Sequence, residues 1–198
     1  MTLWGQSTSL LEIAAFFSGL CSVWLTRRLH IANWPAGIVS CICFGVLFVE
    51  ARLYADALLQ IAFIVLGVYG WKSWAQASAR DGEVPVSRAT PREVGAGLLV
   101  SVAGTFAAAW LLGRFTDSPV PLPDAAILVL SLVATWAQAR SRIECWLVWI
   151  VVDVVSIPLY WSRGLPLTAV LYVLFLLICL GGLASWRKRL PAVREALA

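Results

Sequence analysis

The sequence predicts an all-α integral membrane protein with seven transmembrane helices, built as two parallel three-helix repeats joined by a linker helix. Three observations carry this reading. Hydrophobic residues make up 61% of the 198 residues and charged residues 13%, with a mean hydropathy of +0.84, which leaves too little polar surface for a soluble domain. Seven long apolar runs, near residues 7–26, 33–49, 55–75, 93–113, 122–138, 144–161 and 165–186, each approach the roughly 20 residues a helix needs to cross the hydrocarbon core. Finally, the chain repeats itself at a constant offset of 112 (146 − 34), which aligns Trp24, Arg28, Trp34, Gly70 and Trp74 with Trp136, Arg140, Trp146, Gly182 and Trp186. A duplicated membrane unit points first to a transporter.

The runs lack the alternation of barrel strands, and backbone polar groups must be satisfied inside lipid, so helices are the spanning form. No positive residue precedes the first run, Glu12 lies within it and no small-residue cleavage site follows, so it reads as a mature helix rather than a signal peptide. Pro35 and Pro158 are expected to interrupt the second and sixth spans. Arg27, Arg28, Lys72, Arg80, Arg88, Arg92, Arg140, Arg142, Arg187, Lys188, Arg189 and Arg194 fall on one side of a seven-span arrangement, and Arg52, Arg114 and Arg163 on the other. The positive-inside rule then puts the N-terminus outside and the C-terminus in the cytoplasm. Distributed by loop in this way, the formal charge of +4 is no nucleic-acid signature.

Basic residues precede the second and sixth spans alike, so the two triplets run parallel. Two odd-numbered units joined directly would be inverted, and the apolar run from Val94 to Leu112 supplies the extra crossing. The expected organisation is a first repeat over 7–76, a linker helix over 92–114 and a second repeat over 120–188, with the solute held near the midplane between the repeats.

The chemistry concentrates in the sixth span. Trp146, Trp149 and Asp153 fall at i, i+3 and i+7 on one helical face. An ionised Asp at mid-membrane costs about 3 kcal/mol on insertion scales, so it should meet a wet cavity or a partner rather than lipid. Indole faces beside a carboxylate suit a flat, cationic, hydrogen-bonding solute. The plainer alternative makes the tryptophans interfacial anchors and Asp153 a packing group. Asp56 and Gln60 in the third span, followed by Phe63, correspond by the offset to Thr168, Tyr172 and Phe175 in the seventh, either lining the site or fixing packing through interhelical hydrogen bonds. Gly37 and Cys41 are the counterparts of Trp149 and Asp153, so the halves diverge where the site would be. Trp71, Trp74 and Trp186, beside basic residues, read as boundary anchors, and Glu12 and Asp124 as capping or packing groups. Cys21, Cys41, Cys43, Cys145 and Cys179 lack metal-ligand spacing and read as small apolar residues.

Asn33-Trp34-Pro35 with Gly37, Tyr54-Ala55-Asp56 with Leu59-Gln60, Tyr69-Gly70-Trp71 with Trp74, and Trp146-x-x-Trp149-x-x-x-Asp153 together resemble the Pnu family of bacterial vitamin transporters over nearly the whole chain. The resemblance implies a SWEET-like fold assembled as a homotrimer in the bacterial inner membrane. It further implies uncoupled uptake of nicotinamide riboside or a similar vitamin, without a cofactor, the solute being trapped by a cytoplasmic nucleoside kinase and so linked to NAD biosynthesis. Carried onto matching positions, Trp146, Trp149 and Asp153 would bind the solute, with Gln60 and Tyr172 lining the same pocket. Cys145 stands where the family pattern suggests a polar residue, and Asp153 where Asn also occurs. Thiamine, also planar and cationic, is an alternative solute, and a SWEET-type sugar carrier shares the plan. A retinal protein would need a mid-span lysine, whereas Lys72 and Lys188 lie at helix ends; a membrane scaffold is the other outside reading. An enzyme is not expected, since His30 is the sole histidine and no H-E-x-x-H or G-x-S-x-G pattern is present.

Overall fold

The computed structural model of the chain describes residues 2–3, 6–7, 10–50, 54–116, 119–162, 164 and 166–190, with backbone alone at 2–3, 6–7, 54–55 and 166–168. Its helices are α1 (Leu10–Arg27), α2 (Asn33–Glu50), α3 (Tyr54–Asp81), α4 (Pro91–Phe115), α5 (Pro121–Ala139), α6 (Cys145–Ser162) and α7 (Pro166–Arg187). All seven are long and apolar enough to cross a membrane. Ahead of them β1 (Thr2–Leu3) and β2 (Gln6–Ser7) pair antiparallel, so the first helix begins at Leu10 rather than at residue 7.

Helix ends follow local chemistry. Apolar content alone suggests that α3 stops near residue 75, yet it runs to Asp81. Good helix formers such as Ala75, Gln76, Ala77 and Ala79 continue it, and Gly82, at φ +77°, ends it by donating its N–H to the Ser78 carbonyl. At the start of α4 a capping box closes on Thr90 and Glu93, with Pro91 in the first turn, where no backbone donor is lost. The expectation that Pro35 interrupts α2 is corrected: it falls in that helix's first turn, while Pro158 does lie inside α6. Glu12 and Asp124 sit in the first turns of α1 and α5, where a carboxylate complements the helix dipole.

Two compact units divide the chain, Met1–Val84 and Pro85–Ala198. In the first, α2 packs against both α1 and α3; in the second, α6 packs against α5 and α7, and α4 lies on α5. Within each unit the duplicated sequence makes duplicated structure. The turn before α2 passes through Leu29 at φ +57° and the turn before α6 through Ser141 at φ +54°, positions that match at the repeat offset. Each turn closes with equivalent hydrogen bonds, Leu29 N–H to the Thr26 carbonyl and Ser141 N–H to the Gln138 carbonyl. Beside these turns the Arg28 guanidinium lies 5.1 Å from the Trp24 ring centre and that of Arg140 lies 5.4 Å from Trp136.

The next duplicated element is a pair of locks. Trp34 meets Trp74 edge-on at 5.4 Å and 86°, and Trp146 meets Trp186 at 5.4 Å and 87°. Each such pair contributes about 0.5–1.5 kcal/mol beyond its buried area. Gly70 and Gly182 make room for them: a Cβ on Gly70 would stand 2.3 Å from the Trp34 ring, and one on Gly182 would stand 2.5 Å from Trp146. Trp74 and Trp186 have no exposed surface, so they are core residues and not the boundary anchors their basic neighbours suggest, whereas Trp71 is exposed. Neither the Trp34 nor the Trp146 indole N–H has a hydrogen-bond partner, which is the cost of burying both rings whole. Of the five free thiols, Cys43, Cys145 and Cys179 are buried as expected, while Cys21 is exposed.

In the second unit the segment after α3 is strapped to the α5–α6 turn. Ser87 pairs in parallel with Arg142, exchanging backbone hydrogen bonds with Ser141 and Ile143. Glu93 on α4 accepts from Arg142 at 2.9 Å and meets Arg140 at 3.2 Å, while Glu144 accepts the Ala89 N–H at 2.8 Å. These contacts tie α4 to the start of α6 and so hold the helix that carries the polar residues.

Candidate substrate site in the second repeat

Asp153 is the ninth residue of the eighteen in α6, at the middle of the span. It is 2% exposed, and its Oδ2 has no hydrogen-bond partner. Its neighbour from α7 is the Cys179 thiol, which hydrogen-bonds to the carboxyl group. No Lys, Arg or His occurs within α5 or α6, and the first cation of α7 is Arg187, about 12 Å along the axis past Cys179 at 1.5 Å per residue. A buried acid at mid-membrane with an unused acceptor and, among the described residues of α5, α6 and α7, no cation close by is a candidate ligand site.

The same face of α6 continues on both sides. One turn earlier, half-buried Trp149 donates its indole N–H to Gln138 Oε1 on α5 at 3.3 Å, which fixes the orientation of the ring. One turn later, Ser156 is wholly buried, and its hydroxyl lies beside that of Tyr172 without forming a hydrogen bond of good geometry. A further turn on, Tyr160 stacks on Tyr172 of α7, ring centres 5.1 Å apart and 20° from parallel, and Tyr172 meets Phe175 edge-on at 6.0 Å. The result is one continuous wall: an oriented indole, a free carboxylate oxygen and a group of hydroxyls.

The structure thus brings together Trp149, Asp153 and Tyr172 among the residues expected from sequence. Trp146 shares their helix face, but it is 1% exposed and its ring is enclosed by Gly182 and Trp186. Gln60 is half-buried on α3 in the first unit, beside Gly45 of α2, and Asp56 is exposed in the first turn of the same helix. The side chain of Thr168 lies outside the described residues. The site assignments of Gln60, Asp56 and Thr168 therefore rest on sequence alone. Sequence reasoning missed Gln138, Ser156, Tyr160 and Cys179. Ser156 and Tyr160 were reachable, since they continue the i+3 and i+7 series from Asp153; the Gln138 contact depends on how α5 meets α6 and leaves no sequence mark.

A polar face at mid-membrane, on one half of a duplicated helix bundle, is a feature that carriers of small organic solutes use. The family model described as nicotinamide mononucleotide transporter matches residues 9–188. The chain belongs to that family, the PnuC family of vitamin transporters, and is a multi-pass membrane protein. It is similar to the riboflavin/roseoflavin transporter RibM of Streptomyces davaonensis, at 34% identity over 175 residues covering 86% of this chain and 81% of that one. It is also similar to the nicotinamide riboside transporter PnuC of Escherichia coli, at 25% identity over 207 residues covering 92% and 87%. Among solved structures, that of the vitamin B3 transporter PnuC matches with a TM-score of 0.73 at 25% identity, covering 93% of this chain and 82% of that one.

Proposed function

We propose that this chain carries nicotinamide riboside, or a vitamin closely similar to it, by facilitated diffusion across the bacterial cytoplasmic membrane. The observation that supports this most directly is the Asp153 carboxylate oxygen, buried at mid-span without a partner beside the oriented Trp149 indole. A flat, positively charged ring would stack on the indole and supply the missing counter-charge. Gln138 positions Trp149, and the buried Trp146 keeps α6 and α7 together rather than touching solute. The two triplets run parallel through the membrane, with the N-terminus outside, and the protein works as a homotrimer. A nucleoside kinase inside the cell drives net uptake by phosphorylating the solute.

A second reading, riboflavin as the solute, is favoured by the higher identity to the riboflavin/roseoflavin carrier. Equilibrium binding of nicotinamide riboside, riboflavin, thiamine and glucose to the purified protein separates the readings. Nicotinamide riboside is expected to bind, and Asp153→Ala to weaken it at least tenfold. Binding of riboflavin alone would establish the second reading, thiamine alone its cationic alternative, and glucose alone would overturn vitamin transport. Uptake into proteoliposomes should stop at equal concentrations on both sides unless kinase and ATP are enclosed; accumulation without them would refute facilitated diffusion.

A further inference from the structure

The polar wall extends well past the ring-binding pair, and its far end has a different chemistry. Ser156, Tyr160 and Tyr172 bring three hydroxyls together on facing turns of α6 and α7. Ser156 and Tyr160 lie about 4.5 and 10 Å along the helix axis from Asp153 at 1.5 Å per residue. A wholly buried serine hydroxyl without a well-formed hydrogen bond is costly unless something else occupies it.

The duplication provides an internal control. At the repeat offset, Ser156 and Tyr160 correspond to Phe44 and Phe48, which stack on each other at 5.9 Å and 19° in the first unit. Packing of this helix face is therefore satisfied by two phenylalanines, and the second repeat holds hydroxyls at both positions although the fold does not require them. Tyr160 keeps the aromatic ring of Phe48 and adds only an O–H. Ser156 replaces a ring with a small hydroxyl side chain next to Tyr172.

We propose that Ser156, Tyr160 and Tyr172 form a second subsite that binds the polyhydroxylated part of the solute, a ribosyl or ribityl chain, while Trp149 and Asp153 hold its heteroaromatic ring. This rests on the reading that the Asp153 wall faces the transported vitamin, and it adds which part of the vitamin each end of the wall selects. The solutes named for this chain's relatives, riboflavin and nicotinamide riboside, share this plan: a hydroxylated chain attached to a flat ring.

The test compares each vitamin with its ring carrying a methyl group in place of the chain, riboflavin with lumiflavin and nicotinamide riboside with 1-methylnicotinamide, on wild-type protein and on Tyr160→Phe and Ser156→Ala. Each variant should weaken the vitamin about three- to tenfold, the range of one hydrogen bond, and leave the ring compound unchanged. Retained binding of the ring compound also shows that the variant is folded. Equal loss for vitamin and ring, or no loss for the vitamin in either variant, would overturn the subsite. Failure of wild-type protein to bind either vitamin would overturn the reading of the solute on which the subsite rests, a result distinct from normal wild-type binding that ignores the two hydroxyls.

Discussion

Replacing Gly182 with alanine tests whether the tryptophan lock holds the second unit together. A Cβ there would lie 2.5, 2.6 and 2.7 Å from three atoms of the Trp146 ring. Ordinary contact begins near 3.4 Å, so the nearest approach is short by about 0.9 Å (3.4 − 2.5). The obstacle is a rigid indole, wholly buried and backed by Trp186, which cannot rotate away as a flexible side chain could. Either α7 must move off α6 or the indole pair must come apart. Overpacking of this kind costs about 1–3 kcal/mol, and loss of the edge-on pair adds about 0.5–1.5 kcal/mol. For a chain of this size each kcal/mol is worth about 2–4 °C in Tm. Thermal unfolding of purified Gly182→Ala in detergent, followed by tryptophan fluorescence, should therefore show a Tm lower by several degrees. Gly70→Ala should behave the same way through Trp34, whereas Gly95→Ala on α4, where a Cβ would meet nothing within 4 Å, should be neutral or slightly stabilising. If Gly182→Ala melts with the wild type, the lock is not what joins α6 to α7.

Other consequences follow from the wall and the strap. Asp153→Asn keeps the shape and an acceptor but removes the charge; a cationic vitamin should bind it more weakly than the wild type while neutral riboflavin is spared, which competition binding would read directly. Gln138→Ala frees the Trp149 ring, and solute affinity should fall about three- to tenfold with little change in Tm, the separation expected of a positioning residue. Glu93→Gln should weaken the contacts to Arg140 and Arg142 by about 1 kcal/mol and speed tryptic cleavage at exposed Arg88, measured as the rate of chain loss on gels. An unchanged cleavage rate would show that the paired backbone of Ser87 holds the strap without the ion pairs.

The number of helices, their order and the duplication were all legible in the residues, because apolar runs of membrane length and tryptophans matched at one offset are one-dimensional signals. Asp153 was legible for the same reason: an acid at the centre of an apolar span needs an explanation whatever surrounds it. Which tryptophan ring would be enclosed was not. Trp146 and Trp149 lie on one face of one helix, and spacing cannot tell them apart; only the packing of α7 encloses the first against Gly182 and Trp186, and only the position of α5 gives the second a partner in Gln138. The structure likewise moved Trp74 and Trp186 from the expected boundary into the core. The sequence by itself determined what must lie in the membrane and that an acid sits at the centre of the sixth span, since transfer from water depends on composition along the chain. Tertiary structure decided which polar groups share a wall and which rings are closed off, since those depend on distances between helices that no spacing along a single helix encodes.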